Sequence, residues 1–241
     1  MKKTILLSVT AFASFALSAG AANVALDNAS NAAYSGGGFN SINGGTGFGA
    51  WSVSSSGGGG EYVGTTGQGN PSFGIHSQGS GSALASRSLT GGDLSAGQTI
   101  SMDLGHSNLV NGSVGIDLTD GGATVFTLRF VGGTSNWVIN DGGGGGEFGA
   151  GQGFSANTSL TFTFTYEGSN DYSYTFGSGS GDNFTATNTI SGVDGIKLFT
   201  FSQGSGENFG ANNLVVTAVP EPSSAALLGL GGLALIMRRR K

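Results

Sequence analysis

The chain has 241 residues, of which 48 are glycine and 3 proline; it has no cysteine and a formal charge of −5 at neutral pH. Without cysteine there are no disulfides, thiolate metal sites or cysteine nucleophiles, so a folded body must be held by its core alone. Glycine-rich disorder usually lacks aromatics, whereas this chain keeps 16 Phe, 5 Tyr and 2 Trp, and its glycines cluster between apolar segments, as at Gly57 to Gly60 and Gly142 to Gly146.

The first element is a targeting signal. Met1-Lys2-Lys3 is a basic lead, Ile5 to Leu17 an apolar stretch, and Ala19-Gly20-Ala21 fits small-x-small cleavage. This pattern predicts a secretory signal peptide over residues 1–22. Residues 23–218 then form the body, in which Arg87, Arg129 and Lys197 are the three basic residues against thirteen acidic ones, a formal charge of −10. Nucleic-acid binding needs a cationic footprint to displace counterions, so no nucleic-acid partner is expected.

Within the body the hydrophobic period is two. Weak strands are expected at Trp51 to Val53, Tyr62-Val63, Phe73 to Ile75, Ala83 to Leu89 and Thr99 to Leu104. Val114, Ile116 and Leu118 lead through Asp120-Gly121-Gly122 to Phe126, Leu128 and Phe130, then through Gly132-Gly133 to Trp137 and Ile139, which reads as a three-strand meander. Leu160, Phe162, Phe164 and Tyr166 alternate with Thr161, Thr163 and Thr165, and Tyr172, Tyr174 and Phe176 repeat the pattern after a five-residue loop from Glu167 to Asp171. The threonines read as the solvent side of that one strand. Further strands are expected at Phe184 to Thr187, Ile196 to Phe201 and Leu214 to Val219. No segment of the body has a helical stripe. Ten or more short alternating strands predict an all-β fold, an antiparallel β-sandwich or jelly roll. The closing pattern, Ile196 to Phe199 followed by Asn208 to Val216, resembles the last strands of the concanavalin-like lectin sandwich. A parallel β-helix is the alternative, disfavoured because no fixed short repeat is visible.

Chemistry is sparse. Glu61, Glu147, Glu167 and Glu207 lack the neighbouring carboxylates that glycoside hydrolysis requires, and His76 and His106 have no nucleophile scaffold around them. No catalytic residue is expected, and the protein is read as not an enzyme. Asp117 with Asp120, and Asp141 near Glu147, sit at expected strand ends as weak Ca²⁺ candidates, although turn chemistry alone explains Asp and Asn there. Trp51 and Trp137, with Tyr34 and Tyr62, are candidates for stacking a sugar ring, against the commoner role of such rings in a sandwich core.

The last 23 residues differ from everything before them. Pro220-Glu221-Pro222 precedes an apolar run over 223–237 and the basic cluster Arg238-Arg239-Arg240-Lys241. An apolar run ended by positive charges enters a membrane with those charges retained on the cytoplasmic side. At fifteen residues it is short of the roughly 20 that cross a hydrocarbon core comfortably, and snorkelling basic stems would lengthen it. Pro-Glu-Pro, a short Gly/Ala/Leu helix and a terminal basic cluster, in this order, closely resemble the PEP-CTERM sorting signal of Gram-negative bacteria. The resemblance is confined to residues 219–241. It implies recognition by an exosortase, cleavage near Pro220-Glu221-Pro222 and delivery to the cell surface or extracellular matrix after transient anchoring by the 223–237 transmembrane helix. Proteins with such tails come from makers of exopolysaccharide, which makes that polymer a candidate partner. The expected protein is thus an exported, non-catalytic surface or matrix protein, with a lectin-like exopolysaccharide-binding module as the alternative.

Overall fold

A computed structural model describes residues 22–66, 71–141, 147–177, 179–185, 190 and 192–218. The expected signal peptide, apart from Ala22, lies outside these residues, as do Pro220-Glu221-Pro222, the expected transmembrane helix and the basic cluster. Among the described residues no helix is long and apolar enough to cross a membrane.

The alternating segments form strands. In chain order they are β1 (Asn23–Asp27), β2 (Ser52–Ser56), β3 (Gly60–Gly64), β4 (Ser72–His76), β5 (Ser82–Ser88), β6 (Thr99–His106), β7 (Ser113–Asp120) and β8 (Ala123–Val131). There follow β9 (Asn136–Asn140), β10 (Phe148–Gly153), β11 (Leu160–Gly168), β12 (Asp171–Phe176), β13 (Gly179–Thr185), β14 (Gly195–Phe201) and β15 (Asn208–Thr217). The only helical element among the described residues is a 3₁₀ turn, Ala32–Tyr34, whose cap Asn31 accepts a hydrogen bond from the Ala33 amide.

The strands build two antiparallel sheets. The first runs β13-β12-β11-β6-β15-β4-β3, with β1 also paired to β15, and the second runs β10-β9-β8-β7-β14-β5-β2. Long antiparallel ladders exclude the parallel β-helix. Alternation turns one apolar row per strand inward: Ile100, Met102 and Leu104 from β6, and Phe162 and Phe164 from β11, face Val114, Ile116 and Leu118 from β7, and Phe126 and Leu128 from β8. These side chains are at most 1% exposed. Phe126 stands edge-on to Phe164 and Tyr172, with ring centroids 5.2 and 5.5 Å away, so the two sheets interlock through aromatic contacts.

Three details depart from the sequence expectations. Strands β1 and β10 have too little apolar alternation to be anticipated; β1 exists because its backbone completes the edge of β15 from Asp27↔Leu214 to Asn23↔Thr217. The β11–β12 hairpin has a two-residue turn rather than five: Ser169 and Asn170 both take positive φ, 53° and 74°, the left-handed pair that matches the strand twist. The outer threonines of β11 are continued by their neighbours. Thr163 lies opposite Thr175 and Ser101, and Thr165 opposite Ser173 and Thr99, which in turn faces Thr217.

An ion pair is buried in the core. On β5 the inward row is Ala83, Ala85 and then Arg87, whose guanidinium pairs with Asp27, both side chains being 0% exposed. Arg87 also donates to the Gly49 carbonyl at 2.8 Å and the Asn43 amide oxygen at 2.9 Å, and it lies 4.5 Å from the Phe48 ring centroid and 4.8 Å from that of Trp51. The Tyr34 hydroxyl donates to Asp27 at 2.5 Å and accepts from the Gly44 amide. Burial, reinforced by Asp27, pushes the Tyr34 hydroxyl up to about 12. This clasp binds β1, the 3₁₀ turn and the 43–49 loop to the second sheet.

Candidate functional site

Three connections meet at one end of the sandwich, β4–β5, β6–β7 and β14–β15, beside the β2–β3 turn. Between them lies a shallow cleft of about 670 Å³ lined by Gln78, Asn111, Ser202, Gln203 and Ser205 together with Gly57, Gly79 and Gly204. The sequence Ser-Gln-Gly-Ser-Gly occurs twice in the chain, at 77–81 and at 202–206, and the two copies are the β4–β5 and β14–β15 connections. They hold each other. The Gly79 amide donates to the Gln203 carbonyl at 3.1 Å, the Ser202 amide to the Gly81 carbonyl at 2.9 Å, and the Gln203 amide to Ser77 Oγ at 3.2 Å. Gly79 and Ser202 both sit in the left-handed region, φ 55° and 53°, which bends each copy back on itself.

Beneath the cleft Gln203 is 1% exposed. Its Oε1 accepts from the Ser77 amide and the Thr200 hydroxyl, and its Nε2 has no partner in the protein. Glu207, 8% exposed, ties the third connection in: its carboxylate accepts from the Val110 amide at 2.9 Å and the Gly204 amide at 2.8 Å. Charge-assisted bonds of this kind are strong enough to set loop positions. The lining side chains are amides and hydroxyls, without a formal charge. Gln78, Asn111, Ser202 and Ser205 are exposed, and the two large apolar residues flanking the lining segments, Val110 and Phe201, are 56% and 42% exposed. The Phe201 ring packs on Phe199 with centroids 5.5 Å apart.

The sugar-stacking candidates are elsewhere. Trp51 and Trp137 are 1% and 0% exposed; Trp51 packs among Phe39, Phe73 and Arg87, and Trp137 against Phe130, Phe176 and His106. Neither offers a ring face to a ligand, because neighbouring core side chains cover both. Tyr34 is buried in the clasp. Tyr62 is half-buried, lying over Gly74, where an added Cβ would come within 2.5 Å of its ring; burial pushes its hydroxyl up to about 12. His106 is 1% exposed, its Nδ1 bonds to the Ser107 carbonyl at 2.7 Å, and desolvation lowers its pKa.

The Ca²⁺ candidates do not converge either. The Asp117 carboxylate pairs with Lys197 Nζ at 2.7 Å and accepts from the Thr124 and Thr127 hydroxyls, on the outer side of β7. Asp141 is 5% exposed and accepts from the Tyr172 hydroxyl, while Glu147 pairs with Arg129. Asp120 instead joins Asp93 and Asp194, neither of which any sequence motif singles out, with carboxylate oxygens all within 4.8 Å of one another. Oxygen donors of this kind suit Ca²⁺, which takes about six to eight of them. Three carboxylates supply part of such a set, and that of Asp194 already accepts from the Gly121 amide at 3.0 Å. Asp93 also borders a recess of about 220 Å³ lined by Val24, Leu89, Leu94 and Val216.

The signal that would have exposed the cleft is the duplicated pentapeptide, which is too short to register as a structural repeat. Its two copies are 125 positions apart, and only strand pairing brings them together.

In sequence, no curated protein matches the chain. Among solved structures, a sialidase is similar over 70% of this chain with a TM-score of 0.56 and 10% identity, and the chain spans only 17% of that protein's length. A carbohydrate esterase from the Shiga toxin-encoding bacteriophage phi24B is similar over 83% of this chain and 99% of its own, with a TM-score of 0.53 and 16% identity. The carbohydrate binding module CBM66 from Bacillus subtilis gives a TM-score of 0.46 at 10% identity, over 70% of this chain and 95% of its own. For the sialidase and the esterase, at these identities, the likeness is one of fold. Residues 218–241 match the model of the PEP-CTERM protein-sorting motif, so over that segment the chain carries the signal of this family.

Proposed function

We propose that this is an exported cell-surface or matrix protein, cut by an exosortase at its sorting motif and serving there through a non-catalytic β-sandwich. The sorting motif over 218–241 carries this reading. The basic residues Arg238 to Lys241 stay on the cytoplasmic side and hold the 223–237 segment in the membrane until cleavage. Support for a non-catalytic body comes from the acids themselves. Asp27, Asp117, Glu147 and Glu207 are each committed to an ion pair or to holding a loop, which is structural work. Replacing Pro220-Glu221-Pro222 by three alanines, with the apolar run intact, is expected to leave an uncut, membrane-bound precursor, followed by immunoblot of membrane and extracellular fractions. Unchanged processing would refute the assignment.

A second reading is supported by the cleft: the body is a carbohydrate-binding module that grips exopolysaccharide. Uncharged amide and hydroxyl groups beside an exposed ring are the chemistry a sugar requires, since each hydroxyl both donates and accepts. The sandwich is also shared with proteins named as a sialidase and a carbohydrate esterase. Saturable binding of host exopolysaccharide by the exported chain is the expected result, and its absence would leave the structural role alone.

A further inference from the structure

We propose that the paired Ser-Gln-Gly-Ser-Gly connections form a binding subsite for an uncharged pyranose chain, with Gln203 at its base, Gln78 and Asn111 at its rim and Phe201 as its stacking surface. This rests on the carbohydrate-binding reading and gives it a place. The Gln203 amide nitrogen is the key observation. A buried donor without a partner in the protein is uncommon, and this one lies under a cleft lined by amides and hydroxyls. Every other polar group of that side chain is used, its oxygen accepting twice, which leaves the amide nitrogen as its one uncommitted group, beneath the cleft floor.

The surroundings select the acceptor. The lining residues include no Lys, Arg, Asp, Glu or His, so a phosphate, sulfate or carboxylate would find no counter-charge, and the −10 formal charge of the body repels anionic polymers at longer range. A neutral hydroxyl-rich ligand meets neither obstacle. Gln78 and Asn111 are exposed and each presents both donor and acceptor atoms, matching vicinal hydroxyls. Phe201, 42% exposed and braced by Phe199, offers an apolar face to the C–H side of a pyranose ring. The cleft's volume of about 670 Å³ and its shallow form suit a few sugar units of a longer chain lying across the end of the sandwich.

The loops are preorganised for this. Their mutual hydrogen bonds and the Glu207 carboxylate set the geometry without ligand, so little ordering is needed on binding.

The test is titration of the full chain in mild detergent with neutral β-glucan, galactan and mannan oligosaccharides, with alginate as the anionic control. Saturable binding of at least one neutral glycan and none of alginate is expected. Gln78→Ala and Phe201→Ala, both at exposed positions, should each weaken binding tenfold or more with unchanged thermal midpoint, and Gln203→Glu should weaken it similarly. Neutral-glycan binding that survives Gln78→Ala and Phe201→Ala unchanged would overturn this subsite while sparing the carbohydrate-binding reading. Failure to bind any neutral glycan would overturn both.

Discussion

Removing the carboxylate of Asp27 tests how the core tolerates the buried Arg87 guanidinium. In Asp27→Ala the Arg87 guanidinium stays enclosed, since its side chain is 0% exposed, and the Tyr34 hydroxyl loses its acceptor. Breaking a fully buried pair from one side costs about 3 to 5 kcal/mol. Arg87 keeps the Gly49 carbonyl, the Asn43 amide oxygen and two ring faces, which places the expected loss at the lower end, about 3 kcal/mol. For a domain of this size that lowers the thermal midpoint by about 6 to 12 °C. Paired urea titrations at low and 1 M NaCl supply the assay. Because neither side chain meets solvent, the loss should be nearly the same at both salt concentrations, unlike that of the Arg129–Glu147 pair, whose side chains are 38% and 30% exposed. Replacing both partners, Asp27→Leu with Arg87→Met, should recover part of the loss because no uncompensated charge remains. A loss below about 1 kcal/mol in Asp27→Ala, or one that vanishes in salt, would refute the reasoning that the clasp is dry and strongly coupled.

Two further predictions concern the same sandwich. Burial lowers the His106 pKa in the folded state, so the unfolded chain, protonating near 6.5, binds more protons as pH falls and stability declines below that pH. His106→Asn, which keeps a donor for the Ser107 carbonyl, should flatten this acid limb in urea titrations between pH 7 and 5; an unchanged slope would contradict the assignment. The Ser169-Asn170 turn holds two non-glycine residues at positive φ, and Asn-Gly at these positions is expected to raise stability by about 1 kcal/mol, measured as a higher urea midpoint at constant m-value.

Much of the fold was legible because its determinants are local. The alternation in β6 to β9, β11, β12 and β14 sets which side chains face inward whatever the partners, and the Pro-Glu-Pro, apolar and basic segments at 219–241 are a sorting signal written in order and spacing. Tertiary structure decided what depends on distance. Strand β1 has no pattern of its own and is recruited by the backbone of β15. Trp51 and Trp137 are buried because the two sheets close over them, and burial is a property of the packed pair of sheets, not of a tryptophan. Asp120 left Asp117 for Asp93 and Asp194, since successive residues of a strand point to opposite faces while loops from distant parts of the chain converge at its end. The cleft follows the same rule: two identical pentapeptides carry no meaning apart, and become a site only when antiparallel pairing sets Gln78 beside Gln203.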